Sequence, residues 1–204
     1  MITLATAADL PRILALYAHA RAFMAENGNP NQWGQTRPTE ADIAAHIAAR
    51  ELYVLREEGE IHGVFAFILG EDPTYRVIEQ GAWLSDAPYG TIHAVASDGQ
   101  IHGLLSRIVA YCEQTTPHLR IDTHRDNAIM QHVILKNGFT RCGIIHIASG
   151  AERIAFERCK RHRVSRVFRF LTHSNGASRF CSGKRRSYTN SQLKCLTERI
   201  RFLF

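Results

Sequence analysis

Along residues 1–156 the chain switches repeatedly between two hydrophobic periods, and the order of the switches restricts the fold more than any single motif. Ile2 and Leu4 alternate as in a short strand, after which Leu10, Ile13, Leu14, Tyr17 and Met24 recur at helical spacing, with Pro11 tolerated in the first turn. Asn27-Gly28-Asn29-Pro30 stops that helix, and Thr39 with Asp42 three residues on resembles a capping box, Asp replacing the preferred Glu or Gln, for a second helix carrying Ile43, Ile47 and Ala48. Leu52–Leu55 and Ile61–Leu69 are apolar runs either side of Glu57-Glu58-Gly59, the pattern of an antiparallel hairpin. Residues 70–88 show no clear period and read as an excursion carrying Trp83, followed by a strand at Tyr89–Ala96. Ile101, Leu104, Leu105, Ile108, Val109 and Cys112 mark a helix, Leu119–Thr123 a strand, and Asn127–Asn137 a helix closed by Gly138. Phe139–Ile147 and Arg153–Phe156 read as strands joined by a turn at Ser149-Gly150-Ala151. Helices interleaved with strands, and hairpins at both ends, predict an α/β fold. Its sheet is expected to be mixed and mostly antiparallel, flanked by helices, rather than doubly wound and parallel.

Charge divides the chain differently. From Glu157 onward there are thirteen Lys/Arg and two acids, a balance of +11, whereas residues 1–156 hold twelve and seventeen, a balance of −5. This asymmetry predicts a folded body over residues 1–158 and a basic tail over 159–204, read as disordered or irregular. Lys160-Arg161-His162-Arg163 and Lys184-Arg185-Arg186, with Phe168 and Phe170 interleaved, make weak polyanion binding by the tail an expectation. A body at −5 mildly favours a cationic substrate. The longest apolar runs, such as Val64–Leu69, are too short to span a bilayer, and Asp9 and Arg12 interrupt any leader-like start, so the expected compartment is the cytoplasm. The five cysteines (Cys112, Cys142, Cys159, Cys181, Cys195) form no C-x-x-C pair, so no metal site is expected. Oligomeric state is left open.

The informative segment for chemistry runs from Val95 to Ser106, where a strand enters a loop containing Gly99 and Gly103 and then a helix. Amides at a helix start lack intrahelical partners and carry partial positive charge, so they can receive a pyrophosphate. Gln100-Ile101-His102-Gly103-Leu104-Leu105 resembles the Gln/Arg-x-x-Gly-x-Gly/Ala signature of the GNAT acetyltransferases. Leu105 stands where the signature has Gly or Ala, and Ile101 replaces a common Gly. A second stretch, Asn127-x-x-Met130-x-x-Val133-Ile134-x-Lys136-x-Gly138-Phe139, is similar to that family's Asn, apolar helix and closing Gly-Phe. The likeness covers about residues 1–158. It implies acetyl-CoA as donor, with Val95, Gln100, Ile101, His102, Gly103, Leu105, Ser106 and Asn127 as cofactor-binding residues. It further implies transfer to the primary amine of a small molecule or peptide by direct attack in a ternary complex, with no metal and no enzyme nucleophile. The family's usual Tyr acid falls on Ile134, which cannot donate a proton.

Transfer to an amine needs a base. His93 is the first candidate, because strand alternation puts it on the face of Val95 and its ordinary pKa near 6.5 suits proton transfer. Glu79, beside Val77 and Ile78, is the second, and His124 after its strand a third. Trp33 and Trp83 lie in irregular segments and are candidates for the wall of an acceptor pocket. Two other readings stay open: an acyl-CoA-binding module of weak catalytic power, and a protein that contacts nucleic acid or membrane through its tail.

Overall fold

The computed structural model describes residues 1–160 of the 204. The tail expectations on residues 161–204, including both basic clusters beyond Lys160, lie outside the described residues. Seven strands form one sheet in the order β1-β2-β3-β4-β5-β7-β6. The strands are β1 (Ile2–Leu4), β2 (Leu52–Glu57), β3 (Glu60–Leu69), β4 (Gly90–Ser97), β5 (His118–Thr123), β6 (Thr140–His146) and β7 (Glu152–Cys159). Every pairing is antiparallel except β4 with β5, so the expected mixed, mostly antiparallel sheet is found.

Four helices cover the two faces: α1 (Leu10–Glu26), α2 (Glu40–Ala49), α3 (Leu104–Cys112) and α4 (Ala128–Lys136). Ile13, Leu16 and Tyr17 of α1 and Ile43 of α2 pack on Val54, Val64 and Ala66. Leu105, Ile108 and Val109 of α3 and Ile134 of α4 pack on Phe65, Ile92, Leu119, Ile121 and Phe156 from the other side. Each such side chain, fully buried, stabilises the fold by about 1.5–3 kcal/mol before entropy is counted. The capping box at the start of α2 is present: Thr39 Oγ1 accepts from the Asp42 amide, and Asp42 Oδ2 accepts from the Thr39 amide. At the paired ends of β5 and β7 the sheet runs past the expected boundary at 158: Cys159 pairs with His118, and the Lys160 amide donates to the Pro117 carbonyl.

The excursion over residues 70–88 is docked on the sheet by its aromatic residues. Trp83 stacks on Tyr75 with ring centroids 5.4 Å apart, and the Arg120 guanidinium lies between the Trp83 and Tyr89 rings at 3.9 and 3.8 Å. Cation–π contacts of this kind strengthen when desolvated. Gly81 lies so close to the Cys142 carbonyl that a Cβ there would collide with it.

Candidate active site at the strand fork

β4 and β5 are parallel neighbours for only three residue pairs, Gly90 with Leu119, Thr91 with Arg120 and Ile92 with Ile121. Beyond Ile92 they part. The cause lies in β4: its register against β3 jumps between Ala66 opposite His93 and Val64 opposite Ala96, leaving an extra residue. Ala94 takes a left-handed φ of 51°, a conformation that costs a non-glycine residue on the order of 1 kcal/mol or more. The Tyr17 hydroxyl donates to the Ala94 carbonyl at 2.9 Å and helps to hold this bulge. The parted strands open a cleft of about 480 Å³ between α1, β4, β5, α3 and α4.

One end of the cleft is the loop before α3. Gly103 is the helix N-cap at φ 69° and ψ 28°, where any Cβ would be strained, although space around it is open. Asp98 organises this loop. Its carboxylate accepts from the Gln100 amide at 3.0 Å, from Arg12 Nη2 at 2.7 Å, and meets His62 Nδ1 at 2.9 Å. Burial acts to raise its pKa, but these donors and charges outweigh that and hold it below the ordinary value. Ser106 of α3 donates to Asn137 Oδ1 at 2.7 Å, and both line the cleft.

The other end is polar and buried. Asp122 of β5, its side chain 6% exposed, accepts from the Tyr75 hydroxyl at 2.6 Å through Oδ1. His93 lies between two acids, with Nε2 at 2.9 Å from Asp72 Oδ2 and Nδ1 at 3.6 Å from Asp122 Oδ1. Burial alone would lower the His93 pKa, but the Asp72 hydrogen bond and the charges of Asp72 and Asp122 raise it overall. For Asp122 burial dominates and pushes the pKa up, only partly offset by His93, Tyr75 and Arg153. Arg153 of β7 faces Asp122 Oδ2 at 3.9 Å and donates to the Gln32 and Glu152 carbonyls at 3.2 and 2.9 Å. Gln32 Oε1 in turn accepts from Asn127 Nδ2 at 2.9 Å and Asn29 Nδ2 at 2.8 Å, tying the α1–α2 loop to the start of α4.

Of the residues expected at the site, Trp33, His93, Val95, Ile101, Gly103, Leu105, Ser106 and Asn127 line the cleft. Leu105 is also 3% exposed within the core, so its bulk points under the loop, away from the open face of the helix start. Asn127 caps α4 through Oδ1, accepting from the Met130 amide at 3.0 Å. Gln100 and His102 are exposed and do not line the cleft. Glu79 also lies elsewhere: it is exposed, faces His146 at 3.5 Å, and its backbone bridges Ile144. Trp83 is taken up by the Tyr75 stack, because the excursion folds against β6 and β7 instead of over the cleft. The expected shared face of His93 and Val95 is overturned by the bulge. Val95 packs with the α3–α4 core, whereas His93 is registered opposite Ala66 of the α1–α2 core. Ile134 is fully buried, and His124 pairs with Asp126 outside the cleft.

The reading by sequence missed Asp72, Tyr75, Asp122 and Arg153. Asp122 did leave a signal, an acid inside the predicted strand Leu119–Thr123. Outside the cleft, His118, Glu157 and Cys159 stand close enough to share a metal ion, but the Glu157 carboxylate already accepts from Arg120 at 3.0 Å, which sets a fixed positive charge beside any cation there.

The chain matches no protein-family model and no curated protein. Solved structures do match. An acetyltransferase of the GNAT family from Streptococcus agalactiae 2603 is 31% identical, with 79% of this chain and 95% of that one covered and a TM-score of 0.71. An acetyltransferase of the GNAT family from Listeria monocytogenes 4b F2365 shares the fold at 16% identity, covering 78% and 93%, with a TM-score of 0.58. A Salmonella typhimurium protein solved with its cofactor acetyl-CoA shares it at 17% identity, covering 80% and 95%, with a TM-score of 0.51. On the strength of the streptococcal relative, which it matches over nearly that protein's whole length, this chain belongs to the GNAT family of acetyltransferases.

Proposed function

We propose that the chain moves an acetyl group from acetyl-CoA to a primary amine by direct attack in a ternary complex. The observation that carries this reading is the fork, a cleft with a helix start at one end and a buried carboxylate at the other. Acetyl-CoA, the cofactor of the Salmonella structure, suits it. Past Ile92 the side of β4 that faced β5 is left without a partner strand, so its backbone around Val95 lies open to an extended pantetheine arm, and the first amides of α3 offer a pyrophosphate seat. An anionic group there gains on the order of 0.3–1 kcal/mol per charge, more when partly buried. Ser106 and Asn127 lie along the same wall.

A Lys-like ammonium must lose its proton at a cost of about 4–5 kcal/mol at pH 7. Asp122 is the base this geometry favours. Its Oδ1 is occupied by Tyr75, its Oδ2 makes only the loose Arg153 contact, and its raised pKa strengthens it as an acceptor of protons. His93, held between two carboxylates with its pKa raised, keeps a proton to higher pH and serves as the charged partner that orients Asp122. The ammonium passes one proton to Asp122; the neutral amine then attacks the thioester carbonyl, the nitrogen–carbon bond forms as the carbon–sulfur bond breaks, and the second nitrogen proton is released to water, from which the departing CoA thiolate takes its own. Ile134, buried in the core, takes no part in this step.

Acetyl-CoA at about 100 times its dissociation constant is expected to stabilise the protein by ~2.7 kcal/mol. Asp122→Asn should keep that shift and lower turnover by ~10²–10⁴. Absence of any thermal shift at millimolar acetyl-CoA would refute the reading.

A further inference from the structure

Resting on that reading, we propose that the acceptor is an α-amino acid with a free carboxylate and an apolar side chain. Its amine lies against Asp122 Oδ2 and its carboxylate against Arg153. The two groups face each other across 3.9 Å, too far for a hydrogen bond, in a wall of the cleft. Each has its remaining capacity directed there. Asp122 Oδ1 is taken by Tyr75, which leaves Oδ2 for an amine. Arg153 donates through Nη1 and Nη2 to backbone carbonyls, and Nε points at Asp122 without bonding it. A buried guanidinium and carboxylate held apart are desolvated without full compensation. A molecule carrying an amine and a carboxylate on one carbon lies across the pair from the cleft side and supplies what each lacks, with carboxylate recognition by Arg.

The rest of the cleft narrows the class. Asp122 is the one carboxylate among the described residues that line it, so a polyamine or an aminoglycoside would bring further cations to a cleft whose lining sets that single acid against Arg153 and Lys136. The mild preference for a cationic acceptor drawn from the −5 body is therefore reversed within the cleft. A peptide N-terminus offers a neutral amide where Arg153 calls for an anion. The cleft is also lined by Phe23, Met24, Trp33 and Ile129, and Phe23 and Ile129 are each 45% exposed, apolar surface suited to an aliphatic or aromatic side chain.

The test follows thiol release from acetyl-CoA with leucine, leucinamide, 3-methylbutylamine and spermidine, alongside the thermal shift given by acetyl-CoA alone. Leucine is expected to exceed leucinamide and 3-methylbutylamine by ~100-fold in kcat/KM, the scale of losing a charge-assisted contact. Arg153→Gln should shrink that ratio to below ~10-fold. The wild-type comparison stands alone if the variant does not fold. A preference for leucinamide, 3-methylbutylamine or spermidine over leucine overturns the acceptor assignment and leaves acetyl transfer standing. Acetyl-CoA binding with no turnover of leucine overturns the assignment as well, whereas no acetyl-CoA shift overturns the transfer reading beneath it.

Discussion

Replacing Asp98 by alanine tests whether the loop before α3 is the cofactor seat. The carboxylate is 9% exposed and joins three elements: the Gln100 amide in its own loop, His62 of β3 and Arg12 of α1. The amide bond contributes about 1 kcal/mol and the His62 contact a similar amount. The Arg12 pair contributes no more than about 0.5 kcal/mol, because the Arg12 side chain is 39% exposed and screened by solvent. Asp98→Ala should therefore cost about 2–3 kcal/mol and lower the melting temperature by roughly 5–10 °C for a body of this size. A loop released from these ties must be re-ordered on binding, so acetyl-CoA should bind about tenfold more weakly, equivalent to ~1.4 kcal/mol. The pH dependence has a fixed sign. The folded-state pKa of Asp98 is lowered, so its contribution is complete above the unfolded value of about 3.9 and is lost as pH falls through the folded value. The wild-type and mutant stabilities should differ fully at pH 7 and converge below about pH 4. Calorimetric titration of acetyl-CoA and denaturant melts across pH provide the assay. A melting temperature that falls while the dissociation constant stays within twofold would refute the placement of the cofactor on this loop.

Two further outcomes follow from the same geometry. Tyr17→Phe removes the hydroxyl that donates to the Ala94 carbonyl at the bulge, and should cost about 1–2 kcal/mol in urea melts while weakening acetyl-CoA binding; unchanged binding would mean that the bulge holds its shape without this bond. Cutting the chain after Lys160 removes eleven Lys/Arg and one acid but leaves every strand among the described residues complete, so the cleaved protein should keep its melting temperature and lose retention on heparin, whereas cutting after Arg158 should also cost stability by removing the Cys159 pair with His118 and the Lys160–Pro117 bond.

Most of the fold was legible because its determinants are local. Alternating and helical periods, the Thr39–Asp42 cap and the glycine after α4 each act within a few residues, and the elements they predict appear within one to three residues of their observed ends. The start of α3 is the exception. Ile101 continues the apolar spacing of the helix, yet the helix begins at Leu104, because Asp98 and Ser97 bond the Gln100 and Gly99 amides into turns and Gly103 takes a left-handed cap. The end of β7 escaped for a related reason: Glu157, Arg158 and Cys159 look like the opening of a basic tail, and only their pairing with β5 makes them strand.

The site was half legible, and the division follows from how each half is built. The side proposed for the cofactor is a continuous segment from Val95 to Ser106, so its glycines and helix start can be read in order along the chain. The side proposed for the acceptor is assembled from residues far apart in sequence: Gln32, Asp72 and Tyr75, His93, Asp122 and Arg153. Nothing local relates them. β7 lies between β5 and β6, which is what brings Arg153 beside Asp122, and an excursion without periodicity carries Asp72 and Tyr75 to His93. The bulge at Ala94 then decides which residues can work together. With regular alternation His93 would share a face with Val95. The extra residue turns Val95 toward α3 and α4 and leaves His93 with the two aspartates, the grouping on which the proposed roles of His93 and Asp122 rest.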